Sequence, residues 1–327
     1  MLRSYQYTEK SYLDYAMQSD LLHEKEINIA RKYVNSHEVR KDMYNRCPIC
    51  HGDSGDYFYT KWRVDYLCCK KCKSVFAVFD EDIVTGYRND SDLKELRLEE
   101  GYQNQITQKR ESVWKEFLEW VEVRAFRFMK RNKGLNIVDV GNRLSGYSEC
   151  IRLSELCGKY DLRQSILGED SFQIKDGQAD IVFYMDQIKT ETHPHGKIQE
   201  IKKYLKEDGI LVLNTRAGSG FDILTLRENN ENIYPYEHIL LPSIKGLIML
   251  LEENGYEVLE VTTPGVMDVK YVMDCKDKLN TRDGFVYYLL EETDQGVLQE
   301  FQRFLQKSCL SSFVCVIAKK GKDNETV

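Results

Sequence analysis

The run Asn136-Ile137-Val138-Asp139-Val140-Gly141-Asn142-Arg143-Leu144-Ser145-Gly146-Tyr147 governs how the rest of the chain is read. A short apolar segment ends in an acid, then come a glycine, a polar loop and a second glycine. A helical pattern follows over residues 147–157. The physical reading is a buried parallel strand, a tight turn and a helix N-terminus. Gly141 can take backbone conformations closed to other residues, and Asp139 falls at the carboxyl end of the strand, where open α/β sheets bind nucleotide-like ligands. These twelve residues fit a ligand-free strand–turn–helix equally well, because a glycine-rich turn alone is a weak motif.

Working outward, strand and helix patterns alternate. Residues 180–188 read as a second buried strand. Residues 197–206 form a helix with Ile198, Ile201 and Leu205 on one face, and Glu207-Asp208-Gly209 turns the chain into a third strand, 210–215. Ala217-Gly218-Ser219-Gly220 reads as a flexible loop. Ser243 is a good N-cap for a helix running to Asn254 and closed by Gly255. Residues 256–261 form a fourth strand; Val297, Phe301, Phe304 and Leu305 mark a late helix, and 312–318 a last strand. Upstream, Trp114, Phe117, Leu118, Val121, Ala125 and Phe128 recur at helical spacing, with Gly134 at the helix end. Strands separated by helices of this length predict an α/β, doubly wound sheet over 111–327.

Ahead of it lies a second pattern. Cys47-Pro48-Ile49-Cys50 and Cys69-Lys70-Lys71-Cys72 are two C-x2-C knuckles, and two such pairs can close a tetrahedral thiolate shell around Zn2+. Residues 57–59 and 62–67 read as hairpin strands and 74–79 as a third. The pattern is that of a zinc ribbon over 47–80, with Cys68 or His51 as alternative ligands. A shell of four protein ligands leaves no open position, so the metal is structural. Residues 1–46 read as a charged helical lead-in and 81–110 as a helical connector.

Bulk properties narrow the function. The chain has 327 residues and a formal net charge of −7, which weighs against broad nucleic-acid contact. No apolar run reaches the roughly 20 residues of a membrane span, and no signal-peptide core opens the chain. A cytoplasmic protein is expected. Five of the ten cysteines crowd into 47–72, which points to metal rather than disulfides.

Over about residues 110–320 the order of elements resembles the class I S-adenosylmethionine-dependent methyltransferases, whose fold is a Rossmann-like sheet. Residues 136–141 resemble the first motif of that class, 168–180 its segment leading into the fourth strand, and 201–211 its helix, turn and fifth strand. A zinc ribbon ahead of such a domain is similar to methyltransferases of sugar and glycan biosynthesis, and certain ribosomal RNA methyltransferases also carry one. Two departures stand out: Arg143 replaces a second glycine, and the short span from Asp139 to Asp180 implies a trimmed sheet. Asp161 and Asp170 are candidates for the ribose-binding acid.

The resemblance implies S-adenosyl-L-methionine as cofactor, lined by Asp139, Gly141 and Gly146, with Glu169 or Asp170 near the adenosine. Asp186 and Gln187 would face the methionine moiety or the acceptor. Tyr234-Pro235-Tyr236-Glu237-His238 is similar to a Glu-His segment that lies at the acceptor in sugar C-methyltransferases. His238 is therefore the expected general base, with Glu237 and Tyr236 orienting it. Met267, Asp268, Tyr271, Tyr287 and Tyr288 are candidates to cover the acceptor, and His193 and His195 read as exposed. The function expected is methyl transfer to a small-molecule or glycan acceptor, including a nucleotide-linked sugar. The alternatives are a non-catalytic relative serving as a binding or scaffold module, and an RNA methyltransferase whose Lys70, Lys71 and Lys73 assist the ribbon.

Overall fold

The computed structural model describes residues 20–37, 46–53, 55–99, 117–130, 133–140, 151, 154–167, 175–279 and 284–321. Helix α1 (Asp20–Ser36) buries Ala30 and Val34. A hairpin of β1 (Gly55–Lys61) and β2 (Val64–Cys69) is continued by β3 (Val75–Ala77). Trp62 and Arg63, expected in a strand, form the hairpin turn with φ of 46° and 72°. Two positive φ values match the twist of the flanking strands, but this pair lacks the Asn-Gly chemistry that marks such turns in a sequence. The described part of the connector, to residue 99, is two helices, α2 (Glu81–Arg88) and α3 (Ser91–Leu98), because Asp80 and Asp90 each cap one, accepting from Asp82 N at 3.0 Å and Leu93 N at 3.1 Å.

Residues 117–128 are helical, with Phe117 and Trp120 fully buried. The coil loosens into a π turn over Val121–Ala125 and tightens into a 3₁₀ turn over Phe126–Phe128, so it ends well before Gly134. That glycine, at φ 64°, belongs to the turn into the sheet. The remaining elements are β4 (Asn136–Asp139), α4 (Glu155–Lys159), β5 (Arg163–Ile166), β6 (Ala179–Met185), α5 (Pro194–Tyr204), β7 (Leu205–Arg216), α6 (Phe221–Leu226), β8 (Leu240–Leu241), α7 (Ile244–Glu253), β9 (Tyr256–Thr262), α8 (Asp268–Asp274), α9 (Phe285–Glu292), α10 (Gln295–Lys307) and β10 (Phe313–Lys320).

The central sheet has the order β5-β4-β6-β7-β10-β9. Its first four strands run parallel, and β10 returns antiparallel between β7 and β9. The result is a mixed, mostly parallel α/β sheet, as the alternation of strand and helix patterns predicts. Strand β5 was not expected: Arg163-Gln164-Ser165-Ile166 has no apolar run, and it survives as an edge strand paired only to β4. Twelve residues, 167–178, separate it from β6. Strand β7 begins at Leu205 beside Ala179, and the Glu207-Asp208-Gly209 turn is taken up in an irregularity of that pairing.

Side chains alternate across the sheet. Val138, Val182, Tyr184, Leu211, Leu213, Val314 and Val316 face α5, α7 and the ribbon. Ile137, Ile181, Phe183, Val212, Cys315 and Ile317 face Phe117 and Trp120. A strand covered on both faces must be apolar throughout, which is why β6 was legible. The ribbon shares the first of these cores. Its β3 pairs with β8 through Val75–Leu241 and Phe76–Leu240, so a four-stranded sheet joins the ribbon to a segment more than 160 residues later.

The Ala217–Gly220 segment is not a loose loop. Ala217 N donates to Ser312 O at 2.6 Å and Gly218 N to Pro242 O at 3.0 Å. A Cβ on Gly218 or Gly220 would stand 2.3 Å from Leu241 O or Ser312 Cα. Glycine is there to let three chain segments touch, not to confer mobility.

Candidate functional site

Two of the four parallel strands carry an acid at the carboxyl end, Asp139 on β4 and Asp186 just past β6. Asp139 closes β4 and is buried. Its neighbour Val140 donates to Phe183 O at 3.0 Å, which binds the ends of β4 and β6 together. One residue past β6, Asp186 adopts φ 54°, a strained setting for a residue with a Cβ. It is held there by Asn214, whose carbonyl (3.0 Å) and side-chain oxygen (2.8 Å) both accept from Asp186 N. Backbone strain braced in this way at a strand end is a mark of a functional position. Gln187 follows it, bonding its own side chain to Asp186 O at 3.4 Å.

The 3₁₀ turn Ile188–Thr190 places Lys189 beneath Asp186. Lys189 Nζ donates to Asp186 Oδ2 at 2.8 Å and stands 3.7 Å from Glu237 Oε1. The main chain repeats the link, with Ile239 N donating to Lys189 O at 2.9 Å. Lys189 was missed in the sequence because an isolated lysine in a polar loop carries no signal. Only its burial between two carboxylates gives it meaning.

The residues expected at the acceptor lie beside this turn. Glu237 is bound by Arg97 at 3.2 Å and by Lys189. His238 is buried, and its Nδ1 accepts from Tyr234 N at 3.3 Å. The neutral ring therefore carries its proton on Nε2. Its carbonyl accepts from the Tyr66 hydroxyl at 2.9 Å, which ties the segment to the ribbon. Tyr236, at φ 69°, lies in an aromatic cluster with Tyr33 and Tyr87, and burial pushes its hydroxyl up to about 12.

Gly141, Gly146, Glu169 and Asp170, with Arg143, lie outside the described residues. Asp161 precedes β5 and so sits at the opposite edge of the sheet from these two acids. Asp268 is turned inward, accepting from Ser311 Oγ at 2.6 Å, Ser312 N at 2.6 Å and Gln302 Nε2 at 2.8 Å. Next to it Asp222 is fully buried and accepts from Asn230 Nδ2 at 2.9 Å. Burial, and then the Asp268 charge, push the Asp222 carboxyl up to about 6. Arg216, at the end of β7, lays its guanidinium 5.9 Å over the Tyr271 ring. Tyr288 is exposed.

In the ribbon, Cys47, Cys50, Cys69 and Cys72 come together, with all four sulfurs within 4.8 Å of one another. The Cys47–Cys72 and Cys50–Cys69 sulfur separations are 3.6 and 3.5 Å. This set could hold a metal ion. Cys68 is not in it and lies against Lys73 O. His51 instead stacks on His195 at 4.4 Å. His195, read as exposed, is half-buried: Nε2 meets Ile49 O at 2.7 Å and Nδ1 meets Asn254 Nδ2 at 2.9 Å. It pins the first knuckle to the end of α7. Ser243 pins the second, donating to Cys72 O while capping Gly246 N at 2.8 Å. His193 is exposed beside Glu81.

Comparison with known proteins adds distant likenesses. No protein-family model and no curated protein sequence matches the chain. Among solved structures, the [4+2]-cyclase SpnF is 15% identical, covers 64% of this chain and 83% of its own, and gives a TM-score of 0.37. A geranyl diphosphate methyltransferase in complex with SAM is 14% identical over 68% of this chain and 92% of its own, TM-score 0.38. Haemonchus contortus phosphoethanolamine N-methyltransferase 2 is 13% identical over 62% of this chain and 53% of its own, TM-score 0.40. Likenesses at this level decide neither reaction nor substrate. The fold class rests on the strand order of the chain itself.

Proposed function

We propose that the chain is an S-adenosylmethionine-dependent methyltransferase acting on a small-molecule or glycan acceptor, with nucleotide-linked sugars the first class to test. The observation that carries this reading is the pair of acids at the carboxyl ends of β4 and β6, in a sheet whose last strand returns between the two before it. Asp139 at the end of β4 and the partly open Asp186 just past β6 are the residues proposed to face the cofactor at that edge. S-adenosylmethionine supplies an already activated methyl group, so the protein need only bind, align and exclude water. Asp186, fixed by Asn214 and Lys189, orients the acceptor or the methionine end. Glu237 holds Lys189 in place. His238 and Tyr236 set the shape of the acceptor-side segment, and Gly141, Gly146, Glu169 and Asp170 complete the cofactor's surroundings.

The four thiols fit zinc. Tetrahedral ligation at about 2.3 Å puts sulfurs about 3.8 Å apart, close to the 3.5 and 3.6 Å separations across the set. Zinc there would fasten β8, α7 and the 234–238 segment to the ribbon and take no part in the chemistry.

Incubation with methyl-labelled S-adenosylmethionine and panels of nucleotide-linked sugars, glycans and RNA tests the reading. Label should pass to a sugar-type acceptor and fall sharply in Asp186→Asn. Transfer to RNA alone would replace the acceptor class, and transfer to nothing would favour a binding role.

A further inference from the structure

Five charged side chains form an unbroken chain from α1 to the strand ends. Glu26 meets Arg97 at 3.3 Å, Arg97 meets Glu237 at 3.2 Å, Glu237 meets Lys189 at 3.7 Å, and Lys189 meets Asp186 at 2.8 Å. Their signs alternate throughout. The first four side chains are 14, 17, 18 and 11% exposed, whereas Asp186 is 38% exposed. The chain of charges therefore runs through a poorly screened interior and opens to solvent at the candidate site. In such surroundings each charge depends on its neighbours far more than at a surface.

We propose that α1 and α3 act as a brace that positions Asp186, with Arg97 as the positioning residue working through Glu237 and Lys189. Arg97 lies on α3, which contributes no strand to the sheet and sits outside the segment resembling a methyltransferase. It nevertheless shares Glu237 with Lys189. Without Arg97, Lys189 is the one cation left to Glu237 among these five side chains, and Lys189 is drawn off Asp186. Coupling along the chain is already visible at its far end. Burial pushes the Glu26 carboxyl up, Arg97 pulls it down, and Glu237 and Lys189 both act on it from beyond Arg97. The inference builds on the proposed site at Asp186 and gives the N-terminal helices a role in it.

Acylation of lysines by acetic anhydride, read by peptide mass spectrometry on the full chain, tests the brace. The ammonium of Lys189 should be protected in the native chain. Glu237→Gln, which takes away a buried partner of Lys189, should raise its labelling about fivefold or more, whereas Arg97→Gln, which leaves Glu237 to Lys189, should lower it. Arg97→Lys should return labelling to that of the parent. In the Glu237→Gln background, Arg97→Gln should add nothing, because the link is already cut. Lys206, which pairs with Asp180 at 2.8 Å at the other edge of the sheet, should stay unchanged in every variant. Unaltered labelling of Lys189, an equal change at Lys206, or additive effects of the two substitutions would overturn the proposal. Acylation needs neither cofactor nor acceptor, so it remains decisive if methyl transfer itself fails.

Discussion

Asp186 shows how much a single residue can carry. It has a strained backbone, two hydrogen bonds from its N–H to Asn214 and a buried lysine on its carboxylate. Asp186→Asn keeps the shape and removes the charge, so turnover should fall by about 100-fold with cofactor affinity changed far less; steady-state kinetics with the acceptor would show it. Asp222 makes a different prediction. Its carboxyl is pushed up to about 6 in the folded chain, from an ordinary value of 3.8. Between those values the folded state binds more protons than the unfolded, so Asp222 lowers stability as pH rises through that window. Asp222→Asn should flatten that decline by up to about 3 kcal/mol, measurable by urea titration from pH 4 to 7. A variant as pH-sensitive as the parent would contradict it. Neither residue's part was legible in sequence. Asp186 was read inside the second strand, 180–188, whereas that strand ends at Met185, and its bracing comes from Asn214, a residue 28 positions later. Asp222 reads as an ordinary helix-start acid until burial is known.

At the scale of elements, apolar periodicity was a reliable guide wherever both faces of a strand are covered. Strands β6, β9 and β10 fall within a few residues of their expected places, and Ser243 caps α7 as read. The reading failed where context rather than propensity sets the conformation. Strand β5 is polar and is recruited by β4; Trp62-Arg63 turns because the hairpin docks there, with Arg31 4.9 Å over the Trp62 ring. The Ala217–Gly220 segment was misread because glycine signals either freedom or close contact. Gly220→Ala should therefore destabilise by about 1–3 kcal/mol, the cost of overpacking. Gly196→Ala, in α5 with nothing within 4 Å of the added carbon, should stabilise by about 0.5–1 kcal/mol. Thermal melts would separate the two, and equal effects would refute the contact argument.

Over the whole molecule, the ribbon and the sheet share a core, a strand pairing and two polar pins, Ser243 and His195. Cys69→Ser, or removal of metal by a chelator, should thus unsettle more than the ribbon. The melting temperature should fall by roughly 10 °C, with loss of amide protection in α7 by hydrogen exchange; a loss of protection confined to the ribbon would show the two parts to be independent. The C-x2-C spacing made the four-cysteine cluster legible from sequence. That the ribbon fastens the 234–238 segment was not, because it depends on β8, two residues that no pattern distinguishes. The central claim is that the carboxyl edge of this sheet binds an adenosyl sulfonium. Isothermal titration of the full chain with S-adenosylmethionine tests it most directly. The account predicts saturable binding of one molecule per chain below about 1 mM, abolished by Asp139→Ala; absence of heat at millimolar cofactor would contradict it.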